Sequence, residues 1–203
     1  MTFTDRALIV GREKWRERDK RVTFFTEHHG LVIGTAIGAQ KMTSKLSGHL
    51  EPLRLVDVML ATGKNGFTVA QAVTQQNFAH GASAESIAML GLYARLATSL
   101  SQPGHADPVM FGLLYEAQKS AAAGAGDAGE FLCMLAMHAG LKPEFHECVL
   151  CASTENFKWF SPAQGGVVCA NCVKPEGAII YNATEKNQLA ITMRLFFQWR
   201  GLC

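Results

Sequence analysis

The sequence lacks several features that mark common protein classes. No apolar run approaches the roughly 18 residues of a membrane span, so we expect no membrane insertion. The start, Met1–Arg6 followed by the short apolar run Ala7–Val10, does not have the form of a secretory signal peptide. Charged residues are scarce at 18%, and 48% of residues are apolar. This composition excludes a disordered chain and predicts a real core in one or two domains.

Motifs of common enzymes are also missing. The chain contains no P-loop, no G-x-S-x-G, no H-E-x-x-H and no glycine-rich dinucleotide fingerprint. Glu144 and Glu147 lie close in sequence, but nothing places a substrate between them. We therefore expect a protein that is not an enzyme. A zinc hydrolase or a redox enzyme would need an open metal position or a reactive thiol.

Two Cys-x-x-Cys pairs stand out in the second half of the chain. Seventeen residues separate the pairs, a spacing typical of a structural zinc site. Four thiolates complete a tetrahedral shell and leave no position for a catalytic water. The spacer, with aromatic residues followed by Pro162 and Gly165-Gly166, predicts a hairpin that returns the second pair to the first. We predict one structural Zn²⁺ held by Cys148, Cys151, Cys169 and Cys172.

Other uses of these cysteines compete with zinc. A disulfide pair or a thioredoxin-like Cys-x-x-Cys would serve one pair, and His146 could replace one thiolate. The unpaired Cys133 and Cys203, together with the absence of a signal peptide, favour a reducing cytoplasm.

The first 80 residues read as short strands. Apolar and β-branched runs occur at Ala7–Val10, Val22–Thr26, Leu31–Ile37, Leu53–Leu60 and Phe67–Val73, with Glu27–Gly30 as a hairpin loop. Five strands with a break after the third predict an OB-fold barrel over residues 1–80, a fold that commonly binds oligonucleotides. An SH3-like barrel or half of a sandwich fits the same periodicity.

Residues 81–203 read as a helical domain that carries the zinc module as an insertion at 148–172. Ser83 caps a helix with an apolar stripe from Met89 to Leu100, buried on nearly every side. Asp107 and Pro108 start a second helix, and Asp127 starts a third that ends at Gly140. A last helix is expected near Glu185–Trp199. The fold class is therefore a multidomain α+β protein.

Positive charge is concentrated in the barrel segment. Up to His80 there are eleven Lys/Arg and seven Asp/Glu, giving +4, whereas the rest has eight and ten, giving −2. One basic stretch lies between the first two strands as an expected loop whose cations grip phosphates while its tryptophan stacks on a base. A solvated, self-neutralising loop is the alternative. The stretch contains Arg12, Lys14, Trp15, Arg16, Arg18, Lys20 and Arg21.

Lys41 and Lys45 form a second basic feature. They flank a turn after the third strand, and no acidic residue lies between His29 and Glu51. An uncompensated pair of cations beside a barrel groove favours phosphate binding.

Several short motifs together resemble the bacterial RecO family of recombination mediators. They keep the family's order over most of the chain: Glu17-Arg18-Asp19, Thr26-x-x-x-Gly30, Ala36-x-Gly38-Ala39-x-Lys41-x-x-Ser44 with Leu46, Gly48, Leu50 and Pro52, Phe111-x-Leu113-Leu114, Gly140-Leu141-x-Pro143, and the two cysteine pairs with Gly165-Gly166. Gln40 and Met42 depart from positions where the family is often basic or proline. The end at Cys203 is early for the family, so part of the helical domain is expected to be missing.

The resemblance implies an OB-fold, a helical domain and a zinc module. It implies a cytoplasmic, nucleoid-associated DNA repair protein that binds single- and double-stranded DNA and anneals complementary strands. Single-stranded DNA-binding protein and a RecR-like protein would be its partners in loading the recombinase RecA. Lys41 inherits the role of a DNA contact, and the four cysteines inherit zinc. A protein-interaction adaptor with a zinc ribbon and little direct DNA binding is the alternative function.

Overall fold

The structure is a computed structural model that describes residues 2–63, 66–125, 128–141, 143–181 and 192–193. The chain divides into two compact units, Met1–Gly126 and Asp127–Cys203. Among the described helices, none combines the length and the apolar character needed to cross a membrane.

Unit 1 begins with a closed five-stranded barrel in the strand order β1-β2-β3-β5-β4. Neighbouring strands are antiparallel except that β3 runs parallel to β5, and β1 closes the barrel against β4. The predicted OB-like barrel is confirmed. Its strands are β1 (Thr2–Trp15), β2 (Asp19–Thr26), β3 (Gly30–Ala36), β4 (Arg54–Gly63) and β5 (Gly66–Asn77).

Two helices, α1 (Ala84–Leu100) and α2 (Pro108–Ala122), follow the barrel in the same unit. Inward-facing apolar side chains such as Ile9, Phe24 and Val58 fill the barrel core. Leu8 and Phe25 alternate with them, yet both are also buried. The Phe25 ring stacks on that of Phe111 in α2, with centroids 6.4 Å apart, so α2 covers part of the outer barrel face.

The predicted helix starts are confirmed. The Ser83 side chain accepts a hydrogen bond from the Ser86 backbone N–H, and Asp107 accepts one from Met110 N–H at 2.9 Å. The expectation that α1 is buried nearly all round is wrong, since Ile87 is 40% exposed. Its buried side also includes Leu90, because the helix packs on one face only.

Unit 2 contains α3 (Ala128–His138) and a three-stranded sheet in the order β7-β6-β8. Strands β6 (Phe157–Ser161) and β7 (Gly166–Cys169) form the predicted hairpin, whereas the two-residue β8 (Ile179–Ile180) is too short to show a periodicity. The predicted cap Asp127 lies outside the described residues. So does the predicted helix near Glu185–Trp199, apart from Thr192 and Met193.

Candidate nucleic-acid interface and metal centre

The basic stretch after β1 is not the loop that the sequence predicts. β1 continues to Trp15 and pairs with β2, placing Arg12 opposite Val22 and Lys14 opposite Lys20. The non-strand part is therefore only residues 16–18. The ladder continues through these charged residues because an exposed hairpin satisfies their backbone groups without burying their side chains.

Three of the predicted phosphate contacts are already paired with acids. Arg12 forms a close ion pair with Glu51, and the Lys20 ammonium lies 3.8 Å from the same carboxylate. Arg21 lies 3.8 Å from Glu13. These cations are partly neutralised within the protein, although only Arg21 is paired with an acid of the same stretch, and their role as phosphate contacts stays a prediction.

Trp15 also differs from its expected role as a freely presented ring. The guanidinium carbon of Arg21 lies 3.5 Å from the centroid of the Trp15 ring. This cation–π contact covers one face of the indole. The two side chains therefore form a combined aromatic and cationic platform.

Five exposed cations of the barrel have no acidic partner among the described residues. Two of them lie on the turn after β3, and three lie at the tip of the β1–β2 hairpin. We call this set the basic surface: Lys14, Arg16, Arg18, Lys41 and Lys45.

Gln40 joins the two halves of the basic surface. Its backbone N–H donates to the carbonyl of Arg18 at 3.0 Å, and its side-chain amide donates to the carbonyls of Arg16 at 3.1 Å and Asp19 at 2.7 Å. The Asp19 carboxylate in turn accepts from Gly38 N–H at 2.8 Å. Gln40 thus fastens the turn after β3 to the hairpin tip.

A groove of about 330 Å³ opens beside the basic surface. It lies where the β1–β2 hairpin, β3 and the β4–β5 hairpin meet, and its lining mixes aromatic, aliphatic, hydroxyl and charged groups. The lining residues are Trp15, Arg16, Asp19, Arg21, Thr35, Ile37, Gly63, Gly66, Phe67 and Thr68.

The sequence did not predict a polar cluster that lies at the β2–β3 turn. The buried carboxylate of Asp5 lies 3.0 Å from His28 Nδ1 and 2.7 Å from His29 Nδ1, and it accepts from His28 N–H at 3.0 Å. Burial raises the pKa of Asp5, but the hydrogen bonds from both histidines outweigh burial and lower it. The same contact with Asp5 raises the pKa of His28. The histidines are exposed, as expected, but a sequence gives no sign of a partner more than twenty residues away.

The four cysteines predicted to bind a metal lie close together in the structure. The Sγ atoms of Cys148, Cys151, Cys169 and Cys172 all lie within 4.8 Å of one another. Two of the separations are 3.9 Å, between Cys148 and Cys172, and 3.6 Å, between Cys151 and Cys169. A tetrahedron with metal–sulfur bonds of 2.3 Å has edges of about 3.8 Å. The cluster could therefore hold a metal ion such as Zn²⁺ with little rearrangement.

Backbone contacts hold the first cysteine pair against β7. Val149 N–H donates to the carbonyl of Val167 at 3.0 Å, and Val167 N–H donates to that of Glu144 at 2.9 Å. The approach is so close at Gly166 that a Cβ there would lie 2.5 Å from a methyl carbon of Val149 and 2.8 Å from the carbonyl oxygen of Glu144. The hairpin thus holds the first cysteine pair beside the second.

The thiols differ in acidity. Burial raises the pKa of Cys148, but backbone N–H groups of Cys169, Leu150 and Cys151 lower it to about 6. The neighbouring Cys151 and Cys169 thiols raise the pKa of Cys172 to about 12. Zinc binds cysteine as the thiolate, so a bound ion would release the remaining thiol protons.

The acidic pair near the metal centre has a structural contact. The Glu144 carboxylate accepts from His146 N–H at 2.6 Å and from Glu147 N–H at 3.3 Å, so it closes the turn before the first cysteine. The same backbone bond from His146 lowers the pKa of Glu144. His146 is not part of the four-sulfur cluster.

Comparison with known families covers nearly the whole chain. The family described as Recombination protein O N terminal matches residues 1–78, and the family described as Recombination protein O C terminal matches residues 83–195. The boundary between the two matches falls in the short segment before α1.

Curated proteins give the same result. A DNA repair protein RecO from Dehalococcoides mccartyi is 34% identical over 179 residues, which cover 84% of this chain and 70% of that protein. A DNA repair protein RecO from a Nocardioides species is 31% identical over 191 residues, which cover 88% of this chain and 77% of that protein.

Proposed function

Because this chain belongs to the RecO family, with a role in DNA repair and recombination, we propose that it is a non-enzymatic mediator that binds and anneals DNA strands. It binds single- and double-stranded DNA through the barrel domain, residues 1–80. It helps to load a recombinase onto strands coated by single-stranded DNA-binding protein, together with a RecR-like partner.

The observation that carries the proposal is the basic surface, whose two halves are held together by Gln40. Its five cations have no acidic partner among the described residues, so their charge is available to phosphates. Neutralising phosphates releases condensed counterions, which gives affinity without base sequence preference. Arg12, Lys20 and Arg21, which already contact acids, contribute less.

The same surface accounts for annealing. Two DNA strands repel each other through their phosphates, and cations that contact both backbones reduce that repulsion. Base pairing then supplies the free energy, so no covalent step by the protein is needed.

The four-cysteine cluster is proposed to hold one structural Zn²⁺. Four thiolate ligands suit Zn²⁺, and a closed shell stabilises the fold rather than binding a reactant. The ion would join the first cysteine pair to the end of β7 and so fix the hairpin of unit 2.

The salt dependence of DNA binding tests the proposal. Lys41→Ala should weaken binding to single strands of any sequence and reduce the slope of log affinity against log salt by about 1. Lys119→Ala is a matched control, because Lys119 lies on α2 and its ammonium is 3.7 Å from the Glu116 carboxylate. An unchanged slope and affinity for Lys41→Ala would remove Lys41 from the interface.

Annealing and metal content should be measured on one purified sample, with and without a chelator. We expect annealing of complementary strands by the protein alone and about one zinc per chain. Binding to DNA that requires an added partner protein would instead favour the adaptor function.

A further inference from the structure

We propose that the groove beside the basic surface is a pocket for an unpaired nucleobase and that it gives this protein a preference for single-stranded DNA. The inference rests on the proposed DNA-binding function and adds the part of the DNA that the groove recognises. The cations bind phosphates of either form of DNA, whereas the groove takes a base that has left the stack.

The lining suits the flat face of a base. Trp15 and Arg21 present the stacked platform on one side, and Ile37 and Phe67 supply apolar surface. Aromatic rings and guanidinium planes are the groups on which proteins stack exposed bases. Ile37 is 66% exposed, so its side chain is accessible to a ligand, and covering it would remove apolar surface from water.

The groove also has groups for the edge of a base. Thr35, Thr68 and Asp19 are among its lining residues, and one carboxylate oxygen of Asp19 already accepts from Gly38 N–H. Hydroxyls donate and accept, and a carboxylate accepts from an amino group such as that of cytosine. These groups orient a base without restricting the groove to one sequence.

The groove lies next to the proposed phosphate contacts. Arg16 belongs both to the basic surface and to the lining of the groove. Asp19, another lining residue, receives the Gly38 hydrogen bond that fastens the turn carrying Lys41. A strand whose backbone follows the basic surface therefore passes the mouth of the groove, where negative phosphates meet positive side chains.

Pairing state decides which DNA fits. A base in a duplex is stacked on both faces and paired at its edge, so it enters only after unstacking, which costs a few kcal/mol. An unpaired base enters without that cost. The groove would therefore set the preference for single strands, whereas the basic surface would bind the phosphates of single and double strands alike.

Oligonucleotides with abasic sites test whether the bases, and not only the phosphates, contribute to binding. The probes are a single-stranded oligonucleotide, the same strand with abasic sites in its centre, and a duplex of the same length, at one salt concentration. The wild-type protein should bind the intact strand about tenfold more tightly than the abasic strand. Trp15→Ala should remove most of that ratio, Trp15→Phe should retain it, and Ile37→Ala should reduce it. Ile87→Ala, on an exposed isoleucine of α1 outside the groove, is the control.

Photocrosslinking of the wild-type protein gives an answer that does not depend on the folding of a variant. A single strand containing 5-iodouracil should crosslink to Trp15 or Phe67. Equal binding of intact and abasic strands, or crosslinks confined to residues outside the groove, would overturn the inference.

Lys41→Ala distinguishes a failure of the base pocket from a failure of the proposed DNA-binding surface. If it weakens all three probes while the groove variants change nothing, the basic surface stands and the base pocket fails. If Lys41→Ala changes the binding of none of the three probes, Lys41 is not part of the interface, whatever the groove variants do.

Discussion

The backbone oxygen of His105 occupies the space in which a side chain at Gly30 would begin. A Cβ at Gly30 would lie 2.0 Å from that oxygen, and Gly30 has a φ of +68°. The adjacent Gly104 N–H donates to the carbonyl of Leu31 at 3.2 Å. The loop between α1 and α2 is therefore locked onto the start of β3 by backbone contact, which explains why only glycine fits at residue 30.

Replacing this glycine should destabilise unit 1. Gly30→Ala introduces an unfavourable φ and a clash with backbone, so we expect a loss of at least about 2 kcal/mol in the free energy of unfolding. Denaturant unfolding measures it. Gly48→Ala is the matched control, because a Cβ there meets nothing within 4 Å. Equal stabilities of the two variants would contradict the close contact.

Features with a local chemical signature could be predicted from the sequence. The two Cys-x-x-Cys pairs are such a feature, because tight turns and thiolate chemistry fix their spacing. The barrel followed from runs of alternating apolar residues, and the starts of α1 and α2 from capping residues such as Ser83 and Asp107.

Tertiary contacts between single polar residues could not be predicted. Gln40 bonds to carbonyls more than twenty residues away, and Asp5 meets His28 across a similar separation. Neither contact leaves a periodic pattern. The distal part of the β1–β2 hairpin could not be predicted for a related reason. Residues 12–14 of β1 are all exposed, so they lack the alternation that marks a half-buried strand.

The Asp5–His28 contact should make stability depend on pH. The folded pKa of His28 lies above its ordinary value of 6.5, with Asp5 as the main cause, Glu27 adding and Arg6 opposing. Its contribution is therefore full below about pH 6.5 and is lost as pH rises through the raised pKa. The folded pKa of Asp5 lies below 3.8, so its contribution is lost only as pH falls through that lowered value.

Comparing variants over pH measures this contribution. The unfolding free energy of His28→Gln should fall below that of the wild type most clearly between about pH 4 and 6.5, and the gap should narrow toward pH 8. His80→Gln, an exposed histidine without a carboxylate contact among the described residues, should show no such trend. A gap that widens toward pH 8 would reverse the sign of the assigned interaction.

Loss of one thiolate should release the metal. Cys151→Ser leaves three sulfur ligands, so bound zinc should fall below one per chain in elemental analysis of the purified protein. Cys133→Ser, outside the four-sulfur cluster, should keep the wild-type zinc content. Full zinc content in Cys151→Ser would count against the assigned ligand set.

Gln40 offers a way to change the geometry of the basic surface without changing its charge. Gln40→Ala removes the side-chain bonds to the Arg16 and Asp19 carbonyls but keeps the backbone bond to Arg18. The turn with Lys41 and the hairpin tip would then move more independently. Each bond of this kind contributes about 0.5–1.5 kcal/mol, so the loss of both weakens the connection by about 1–3 kcal/mol, and affinity for single strands should fall by about a hundredfold at most.

The salt dependence of binding shows whether a loss of affinity comes from a changed arrangement of the cations or from a lost charge. In Gln40→Ala all five cations of the basic surface remain, so the slope of log affinity against log salt should stay close to the wild-type slope even as affinity falls, unlike the slope of Lys41→Ala. Gln75→Ala is the matched control, because that amide bonds to Asp57 and neither residue belongs to the basic surface or lines the groove. If Gln40→Ala binds as tightly as the wild type, the two halves of the basic surface act separately and the turn needs no fastening.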